Sequence, residues 1–437
     1  MPEMKDSGVD LIGYIPRHWS KTKIKYISSL KTGSTPKDKI GIDLQGDYMW
    51  ITPSDINGSY IIDRSTQYIS KKAIKENKYR LFPPRSVLLV CIASVGKVGI
   101  TNEYSYSNQQ ITAIKPNNKI IPKYLLYSMV TSEEIIKHDA SNNVVPIINS
   151  KYLDNFSIPF PSIKEQKMIS DYLDSKCSEI DTLRADIEEQ IRLLEEYKKS
   201  VITEAVTKGL DQNVEMKDSG VEWIGMIPSH WEKGRIKDFC RIARGGSPRP
   251  IDHYLADDNQ IGYNWVRIGD TQKGCKFINH THLRIVPSGL SSTRLIKKGS
   301  LLLTNSMSFG EPYILNIDGC IHDGWLAFYE YHNITKEYLY YVLMSENCRI
   351  QFILSSAGAV VSNLNIEKVA NTTIFIPSIE KQLILTSFLD NKCSEIDDMI
   401  SKKKDQLSLL EDYKKSLIYE YVTGKKEVPA DFTGGES

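Results

Sequence analysis

The chain has 437 residues, with 55 Lys and Arg, 54 Asp and Glu, and seven cysteines. Its length predicts several domains of ordinary size rather than one core. An odd number of cysteines with no CxxC pair argues against a disulfide framework and against a zinc site. The N-terminus has no apolar signal segment and no run approaches about 18 apolar residues, so we expect a cytoplasmic protein with no membrane contact.

The net charge of +1 conceals a partition along the chain. Residues 21 to 160 hold 19 Lys and Arg against 11 Asp and Glu, and residues 161 to 214 hold 8 against 12. The counts are 16 against 13 for residues 232 to 376, and 9 against 12 from residue 377 onward. Basic interiors thus alternate with acidic ends. Basic surfaces attract polyanions such as nucleic acid, although a solvated face carries the same charges.

The chain contains two copies of one unit. The opening phrase PEMKDSGVDLIGYIPRHW returns in mid-chain as VEMKDSGVEWIGMIPSHW. Further on, PSIKEQ…LDSKCSEID…LLEEYKKS returns 216 residues later as PSIEKQ…LDNKCSEID…LLEDYKKS. Similarity is high at both ends of each unit and low in its middle. A shared frame with divergent interiors suggests two similar sites that recognise different things, although duplication followed by neutral drift would look the same.

Each copy ends in a long proline-free stretch with an apolar stripe. Apolar residues at spacings of three and four predict a helix from about Ile163 to Thr207 and a second helix 216 residues later. Only Lys403, at the position of Ile187, breaks the second stripe. The helices should pair as a coiled coil, because unpaired helices would leave both stripes in water. They should pair antiparallel, because the second unit begins where the first helix ends and its own helix must run back alongside. The predicted seam is Ile180, Leu183, Ile187, Ile191, Leu194, Tyr197, Val201 and Ala205 in the first helix, and Ile396, Met399, Leu407, Leu410, Tyr413, Leu417 and Tyr421 in the second.

Each interior contains short runs rich in Val, Ile, Tyr and Leu that are typical of strands. The runs are YMWITPSDI, SVLLVCIASVGKVGI and NFSIPFP in the first interior, and YNWVRIGD, GSLLLTNSMSFGEPYIL and NTTIFIP in the second. We therefore expect two similar α/β (α+β) domains separated by the two long helices, with internal pseudo-two-fold symmetry. The expected segments are 1–160 and 212–376 for the domains, 161–211 and 377–428 for the helices, and 429–437 for a flexible tail.

Matched polar loops in the interiors supply the candidate binding residues. A cation flanks a Gly-Ser turn in both copies, at Lys31 and Arg244, where backbone N–H groups can meet a phosphate; a tight turn that needs Gly is the alternative. Asn, Gln and Arg can read base edges, but buried polar residues that satisfy local turns look similar in sequence. The candidate DNA-binding residues are Lys31, Ser34, Thr35, Lys37, Ser94, Lys97, Asn108, Gln109, Gln110, Arg244, Ser247, Arg249, Arg267, Asn305, Ser306, Ser308, His322 and Asp323.

The sequence predicts no catalytic, cofactor or metal site. It contains neither GxxxxGK[ST] nor GxGxxG. His18 and His230 are matched by the repeat, but no matched nucleophile or carboxylate accompanies them. Trp19 and Trp231, which follow them, are expected to be buried anchors of each unit.

Taken together, these features resemble the DNA-specificity subunits of type I restriction-modification systems. The matching phrases are the IPxHW opening of each unit, the Gly-Ser/Thr-Pro turn, and IPxPSIxEQ leading into a helix that ends in LLEEYKKSVITEAVTKG; the second copy departs slightly, with FIPSIEKQ. The resemblance implies a non-catalytic chain whose two target recognition domains each read half of a bipartite, asymmetric site in double-stranded DNA. It also implies that the paired helices dock two modification subunits, which bring S-adenosylmethionine, and recruit restriction subunits that use ATP and Mg.

Two other functions remain open from the residues. A two-domain adaptor would use the same coiled coil, with its duplicated heads holding proteins rather than DNA. A fused methyltransferase-recognition enzyme would need a cofactor loop, which the sequence lacks. A steep salt dependence of binding distinguishes phosphate contacts from adaptor contacts.

Overall fold

The structure is a computed structural model, and it divides into two compact units. The first unit comprises residues 1–187 and 405–437, and the second comprises residues 188–404, so each long helix contributes one part to each unit. Among the described residues, no helix is both long enough and apolar enough to cross a membrane. The structure describes residues 3–9, 12–35, 42–43, 46–76, 79–141, 145–257, 259–272, 274–305, 310–356 and 364–433.

The first unit is built on a five-stranded and a four-stranded sheet, each antiparallel except for one parallel pair at an edge. In spatial order, the strands are Ser28–Thr32, Ile111–Pro116, Ser86–Val90, Val98–Thr101 and Ile61–Ile62, then Ser105–Ser107, Tyr48–Ile51, Tyr68–Ile69 and Ile42–Asp43. Two further ladders pair Met4–Asp6 with Tyr14–Pro16 and Ser20–Lys23 with Ser157–Phe160. The short helices are Ile24–Ile27, Lys71–Glu76, Pro122–Thr131, Glu133–Ala140 and Ser150–Asn155.

The second unit repeats this topology, except that the parallel pair of its smaller sheet lies in the middle of the sheet. Its sheets contain Arg241–Arg244, Trp325–Tyr329, Leu301–Thr304, Pro312–Leu315 and Phe277–Ile278, then Leu283–Ile285, Tyr263–Val266, Gly319–Ile321 and Arg294–Ile296. Its ladders pair Met216–Asp218 with Met226–Pro228 and Glu232–Arg235 with Thr373–Ile376. Its short helices are Ile236–Phe239, Lys336–Met344, Glu346–Ser356 and Ile366–Ala370, with 3-10 turns at Ile251–His253, Ile268–Asp270 and Pro287–Ser292.

The smaller sheets of the two units differ at their edges. The edge strand Arg294–Ile296 of the second unit is reduced in the first to an isolated bridge between Phe82 and Ser105. Conversely, the edge strand Ile42–Asp43 of the first unit corresponds to a bridge made by Leu255 in the second. The two copies thus share one sheet plan and differ in how far each edge strand extends.

The central strand of the larger sheet is buried on both faces. Successive side chains of a strand point to opposite sides. Val87 and Leu89 therefore pack into the main core of the first unit, whereas Leu88 and Val90 pack into a smaller core with Ile51 of the other sheet. A continuous apolar run is what such a strand needs. Each sequence run that was predicted to form a strand contains at least one strand in the structure, which confirms those predictions.

The two long helices have the bounds Ile163–Lys208 and Ile379–Val422. The first begins with a capping box: the N–H of Glu165 donates to Ser162 Oγ, and the N–H of Ser162 donates back to Glu165 Oε2 at 3.0 Å. The second helix keeps only half of this arrangement. The N–H of Lys381 donates to Ser378 Oγ at 3.4 Å. The Lys381 side chain cannot accept a bond from the N–H of Ser378 in return, because an ammonium group has no acceptor.

Within the first unit the two helix segments run antiparallel. Lys414 Nζ donates to Asp181 Oδ1 at 2.6 Å, and the hydroxyls of Tyr421 and Tyr172 lie 3.2 Å apart. Residue numbers therefore fall along one segment as they rise along the other. The apolar core between the segments includes Cys177 and other buried residues of both.

The second unit repeats these contacts with the roles of the two helices exchanged. Lys198 Nζ donates to both carboxylate oxygens of Asp397, at 2.7 and 2.6 Å, and Lys403 Nζ donates to Gln190 Oε1. Lys198 and Asp397 are the repeat counterparts of Lys414 and Asp181. The antiparallel coiled coil predicted from the apolar stripes is thus confirmed within each unit.

The prediction that the following four residues lie in the buried seam is wrong. Leu183 and Met399 are 52% and 49% exposed, and Tyr197 and Tyr413 also point to solvent. In the second helix the buried residue is Ile400, one position beyond Met399, whereas its counterpart in the first helix, Arg184, is exposed. Of the other predicted positions, Ile180, Ala205, Ile396, Leu417 and Tyr421 are buried, and Ile187, Ile191, Leu194, Val201, Leu407 and Leu410 are half-buried.

Candidate DNA-recognition sites

The first unit contains a cavity of ≈ 640 Å³ where loops that follow three of its strands meet. The cavity is lined by Thr35, Trp50, Thr52, Pro53, Ser54, Thr66, Gln67, Ser94, Lys97, Asn108 and Gln110. Five of the candidate residues, which are far apart in sequence, thus come together here: Thr35, Ser94, Lys97, Asn108 and Gln110. Most of the other lining residues carry hydroxyl or amide groups, which suits hydrogen bonding to base edges or phosphates.

The Gly-Ser turn is clamped against a neighbouring loop. The N–H of Gly33 donates to Ile111 O and the N–H of Ser34 donates to Ser107 O, both at 2.9 Å. A Cβ atom at Gly33 would lie 2.1 Å from Asn108 O, so close approach of backbone requires glycine here. These two N–H groups are used inside the protein, so the prediction that they meet a phosphate is wrong and the tight-turn alternative holds.

The loop opposite this turn is fixed by its own amide groups. Asn108 Oδ1 accepts the N–H of Gln110, and Asn108 Nδ2 donates to Gln110 Oε1, both at 2.9 Å. Thr35 Oγ1 donates to Gln109 Oε1. These bonds use the acceptor oxygens. Among the described residues, no partner is found for Nε2 of Gln109 or Gln110, so two donors remain that suit acceptors on a base edge.

A carboxylate missed as a site residue holds the third wall of the cavity. Asp55 accepts hydrogen bonds from the N–H and hydroxyl of Thr52, from the N–H and hydroxyl of Thr66, and from the hydroxyl of Ser65, at 2.7 to 3.2 Å. Burial raises the pKa of Asp55, but these bonds outweigh burial and leave the pKa below its ordinary value. The carboxylate is therefore an ionised anchor that aims the Thr52 and Thr66 hydroxyls.

Lys97 lines this first cavity, and two further cations lie next to the Gly-Ser turn. Lys97 is half-buried and its Nζ lies 3.5 Å from Pro53 O, while Lys31 is exposed on the strand that precedes the turn. Arg80, which was not among the predicted binding residues, is exposed, and its Nη1 donates to Thr32 O at 3.1 Å. Its repeat counterpart, Arg294, donates through Nε to Arg244 O at 3.4 Å. The signal was an Arg-Leu pair six residues before Ser86, which begins the central strand of the first copy, and before Ser300, which immediately precedes that of the second.

The second unit has a cavity of ≈ 800 Å³ in the corresponding place. It is lined by Ser247, Pro248, Arg249, Pro250, Ile251, Asp252, Leu255, Trp265, Arg267, Leu283 and His322. Four candidate residues meet here: Ser247, Arg249, Arg267 and His322. Its Gly-Gly turn is clamped like that of the first unit, because a Cβ atom at Gly245 would lie 2.2 Å from His322 O.

Asp323 organises the candidate residues of this unit. Ser247 Oγ donates to Asp323 Oδ1 at 2.8 Å, and Arg249 forms an ion pair with Oδ2 at 3.5 Å. Arg244 Nε donates to the backbone carbonyl of Asp323 at 2.8 Å. Burial raises the pKa of the Asp323 carboxyl, but the bond from Ser247 and the nearby cations outweigh it, so the pKa is lowered. An ionised carboxylate therefore holds Ser247 and Arg249 beside the second cavity.

His322 is fixed in one tautomer by its neighbours. The N–H of Gly324 donates to Nδ1 at 2.8 Å, so Nε2 carries the proton and lies 3.0 Å from Asp323 Oδ1. Burial and the nearby Arg267, Arg249 and other cations lower its pKa more than Asp323 raises it. His322 is thus a neutral imidazole near neutral pH, and it contributes shape and a fixed dipole rather than charge.

Arg267 stands where the first cavity has Thr52. Its backbone N–H donates to Asp270 Oδ2 at 2.8 Å, and His282 Nδ1 lies 2.7 Å from Asp270 Oδ1. Burial raises the pKa of Asp270, but these hydrogen bonds outweigh it and leave the pKa lowered. Arg267 Nε is buried, and within the described part of the chain it has no hydrogen-bond partner. An unsatisfied guanidinium donor at a cavity wall suits an acceptor on a ligand.

The prediction that Asn305 binds DNA is wrong because the residue is buried, and three other candidates lie outside the described residues. Asn305 is 2% exposed and its Nδ2 donates to Asp323 O at 2.9 Å, so it supports the loop and is not placed to read a base. Lys37, Ser306 and Ser308 are outside the residues that the structure describes.

The two cavities use the same repeat positions with different side chains. Trp50 and Trp265 are the buried floor of each. The pairs that differ are Thr35 and Ser247, Thr52 and Arg267, Asn108 and His322, and Gln109 and Asp323. The hydroxyl-to-side-chain bond from the turn to the opposite loop is kept in both, because Thr35 bonds to Gln109 as Ser247 bonds to Asp323. A constant frame therefore presents two distinct sets of polar groups.

The comparisons with known proteins agree on one family. The family model described as type I restriction modification DNA specificity domain matches residues 16–193 and 228–409. The MjaIX type I restriction enzyme specificity subunit of Methanocaldococcus jannaschii is 28% identical over 95% of this chain and 95% of its own length. The EcoR124I/EcoR124II specificity subunit of Escherichia coli is 30% identical, over 44% of this chain and 43% of its own length.

A solved structure shares the fold. It is described as the structural basis underlying complex assembly and conformational transition of the type I R-M system, and it matches with a TM-score of 0.71 at 13% identity. The match covers 94% of this chain and 99% of that one. Two specificity domains in one chain agree with the duplicated cavities, and the specificity role agrees with the prediction of a non-catalytic chain. The chain belongs to the DNA-specificity subunit family of type I restriction-modification systems.

Proposed function

We propose that the chain reads a bipartite, asymmetric site in double-stranded DNA, with one half-site read by each unit. The observation that carries this proposal is the pair of equivalent cavities with different linings. The first offers amide and hydroxyl groups around Thr52 and Asn108, whereas the second offers the guanidinium of Arg267, with the carboxylate of Asp323 bonded to Ser247 beside it. Arg is suited to guanine and a carboxylate to the amino group of cytosine, so the two half-sites differ.

The domain boundaries of this proposal follow the repeat. Residues 1–160 and 212–376 form the two recognition domains, residues 161–211 and 377–428 form the helical spacer, and residues 429–437 form the tail. A helix of 46 residues extends over ~69 Å at ~1.5 Å per residue, which is suited to holding two half-sites apart. The spacer sets the gap between the half-sites in this proposal.

The helices also carry the proposed partner surface. Apolar side chains are exposed on both helices at repeat-related positions: Leu183 and Met399, Leu193 and Leu409, and Tyr197 and Tyr413. Exposed apolar residues that recur in both copies are typical of a protein interface. We assign them to two modification subunits, which bring S-adenosylmethionine, with restriction subunits that use ATP and Mg recruited to the same cytoplasmic complex.

A salt-titrated gel shift tests DNA binding. The chain, assembled with its modification partner, is titrated onto duplex DNA at several salt concentrations. Each phosphate neutralised by a cation adds about −0.9 to the slope of log affinity against log salt, so a steep slope is expected. Replacing Arg80 by Ala should reduce the steepness of that slope by about one, whereas Lys164→Ala, at an exposed helix position, should leave it unchanged. A slope near zero would overturn DNA binding and favour the protein-binding adaptor.

A further inference from the structure

The repeated opening phrase of each copy packs at the start of a long helix, but the two copies complete this contact differently. In the first unit, Trp19 Nε1 donates to Glu165 Oε1 at 2.9 Å, and His18 Nε2 lies 2.8 Å from the same oxygen. The other oxygen of Glu165 accepts from the hydroxyl and N–H of Ser162. One carboxylate therefore satisfies the indole, the imidazole and the helix cap together.

The hydrogen bonds around Glu165 stabilise its charged form. Partial burial raises its pKa, but the bonds from Ser162, His18 and Trp19 outweigh burial and lower the pKa to about 2. The indole of Trp19 packs beside Gly424, where a Cβ atom would lie 3.0 Å from the ring. In the first unit, a carboxylate from within the chain thus satisfies these donors.

The second unit keeps the donors and replaces the acceptor. Trp231 and His230 stand where the first unit has Trp19 and His18, but Lys381 stands in place of Glu165. Trp231 is 4% exposed, and within the described residues its indole N–H has no hydrogen-bond partner. An indole N–H that has no acceptor inside the protein can donate to an acceptor on a ligand that enters beside it.

A cavity of ≈ 390 Å³ opens beside this indole. Its charged lining is Lys208, Lys381 and Asp211, and the carboxylate of Asp211 is already engaged by the N–H of Asn213 at 3.0 Å. His230 and Trp231 line the same space, with apolar walls from Leu210, Val214, Pro228, Ile384 and Leu385. The Lys381 ammonium, the imidazole and the indole N–H form a donor set that is complementary to a carboxylate, whereas the Lys208 ammonium already lies 3.7 Å from Glu204 Oε1.

We propose that this cavity binds a carboxylate from another molecule, at the position where Glu165 supplies one from within the chain in the first unit. The carboxylate comes either from an acidic side chain of a partner polypeptide or from a small dicarboxylate. Both sources present the same group to Trp231 and Lys381. The inference does not depend on how the DNA cavities read their targets, because none of its residues lines them.

The indole resonances of the full chain, labelled with ¹⁵N-tryptophan, test the proposal. Glutarate and N-acetyl-glutamate methylamide are titrated in parallel, with dimethyl glutarate as the uncharged control, and Trp231→Phe assigns the resonance. A saturable shift of Trp231 with the two carboxylates, and none with the ester, is expected. Trp19 should not respond in the wild type because Glu165 occupies its site, but it should respond in Glu165→Ala.

Lys381→Glu supplies the matched variant. It should rebuild the internal bond, move the Trp231 resonance without any ligand, and weaken carboxylate binding by about tenfold or more. Tighter binding of the capped glutamate identifies a polypeptide side chain as the source, and tighter binding of glutarate identifies a free dicarboxylate; either supports the site. A Trp231 resonance that ignores both carboxylates, or that responds equally in Lys381→Glu, overturns the proposal.

Discussion

Lys414 donates to Asp181 across the antiparallel helix segments of the first unit at 2.6 Å. Its side chain is only 9% exposed, and its ammonium also lies 4.6 Å from the ring centroid of Tyr60. A lysine at a seam position costs stability when unpaired but favours one register when its acid is present. The repeated pair, Lys198 with Asp397, indicates that both units fix the helix register in the same way.

Replacing Asp181 by Asn should destabilise the first unit, because the buried Lys414 ammonium loses its counter-ion. Asp181 is half exposed, so we expect a cost of about 1–2 kcal/mol and a fall in Tm of about 2–6 °C. Thermal unfolding followed by circular dichroism measures this change. Glu411→Gln breaks an exposed ion pair with Lys415 and should leave the Tm within about 1 °C. Equal effects of the two substitutions would argue against a role for the seam pair.

Gly33→Ala should disturb the first recognition cavity, because its Cβ atom would lie 2.1 Å from a backbone carbonyl that cannot move aside cheaply. We expect affinity for the cognate site to fall by about tenfold or more, with the sequence preference of the second half-site unchanged. Gly269→Ala is the control, since a Cβ atom there meets nothing within 4 Å. Competition gel shifts with substituted half-sites measure both properties, and normal binding by Gly33→Ala would contradict the role given to the turn.

Gln109→Ala and Asp323→Ala remove equivalent acceptors from the two cavities. We expect each to relax base preference in one half-site only, by about 1–3 kcal/mol at the affected position. Asp323→Ala should also loosen Ser247 and Arg249, which contact its carboxylate. Methylation rates on a panel of single-base variants measure the preference. Relaxation of the same half-site by both substitutions would show that the two cavities are not separate readers.

Stability should depend on pH through Glu165. Its pKa of about 2 lies below the ordinary value of 4.5, so the charged form stabilises the fold fully above pH ~4.5 and loses that effect as the pH falls toward 2. Glu165→Gln should therefore lower the Tm by about 2–4 °C at pH 7, and the difference from wild type should shrink below pH ~4.5. Lys381→Gln, at the matching position, should show no such convergence. A constant difference across the acid range would contradict the network around Glu165.

The sequence predicted the strands, the two long helices and the repeat, because each depends on local periodicity. It misplaced Leu183 and Met399 because steps of three and four from Ile180 and Ile396 both fit a helical stripe, and in the second helix packing selects the step of four, to Ile400. It missed Asp55, whose anchoring bonds come from residues up to 11 positions away in the chain.

The site was harder to predict than the frame, for a physical reason. Whether a polar residue faces solvent or supports a loop depends on contacts distant in sequence. Asn305 looked like a base reader but is buried, and its Nδ2 donates to a carbonyl 18 residues away. Arg80 and Arg294 were matched in sequence, but their position beside the recognition turn appears only when the sheet is assembled.

An exchange of one recognition domain tests the central claim most directly. Residues 20–157 are replaced by the matching segment of another family member, the hybrid is assembled with the modification subunits, and methylated sites are mapped on genomic DNA. We predict that one half-site changes to that of the donor while the other half-site and the gap between them are kept. A change in both half-sites would contradict the account that two separate cavities, held on one helical frame, each read half of the target.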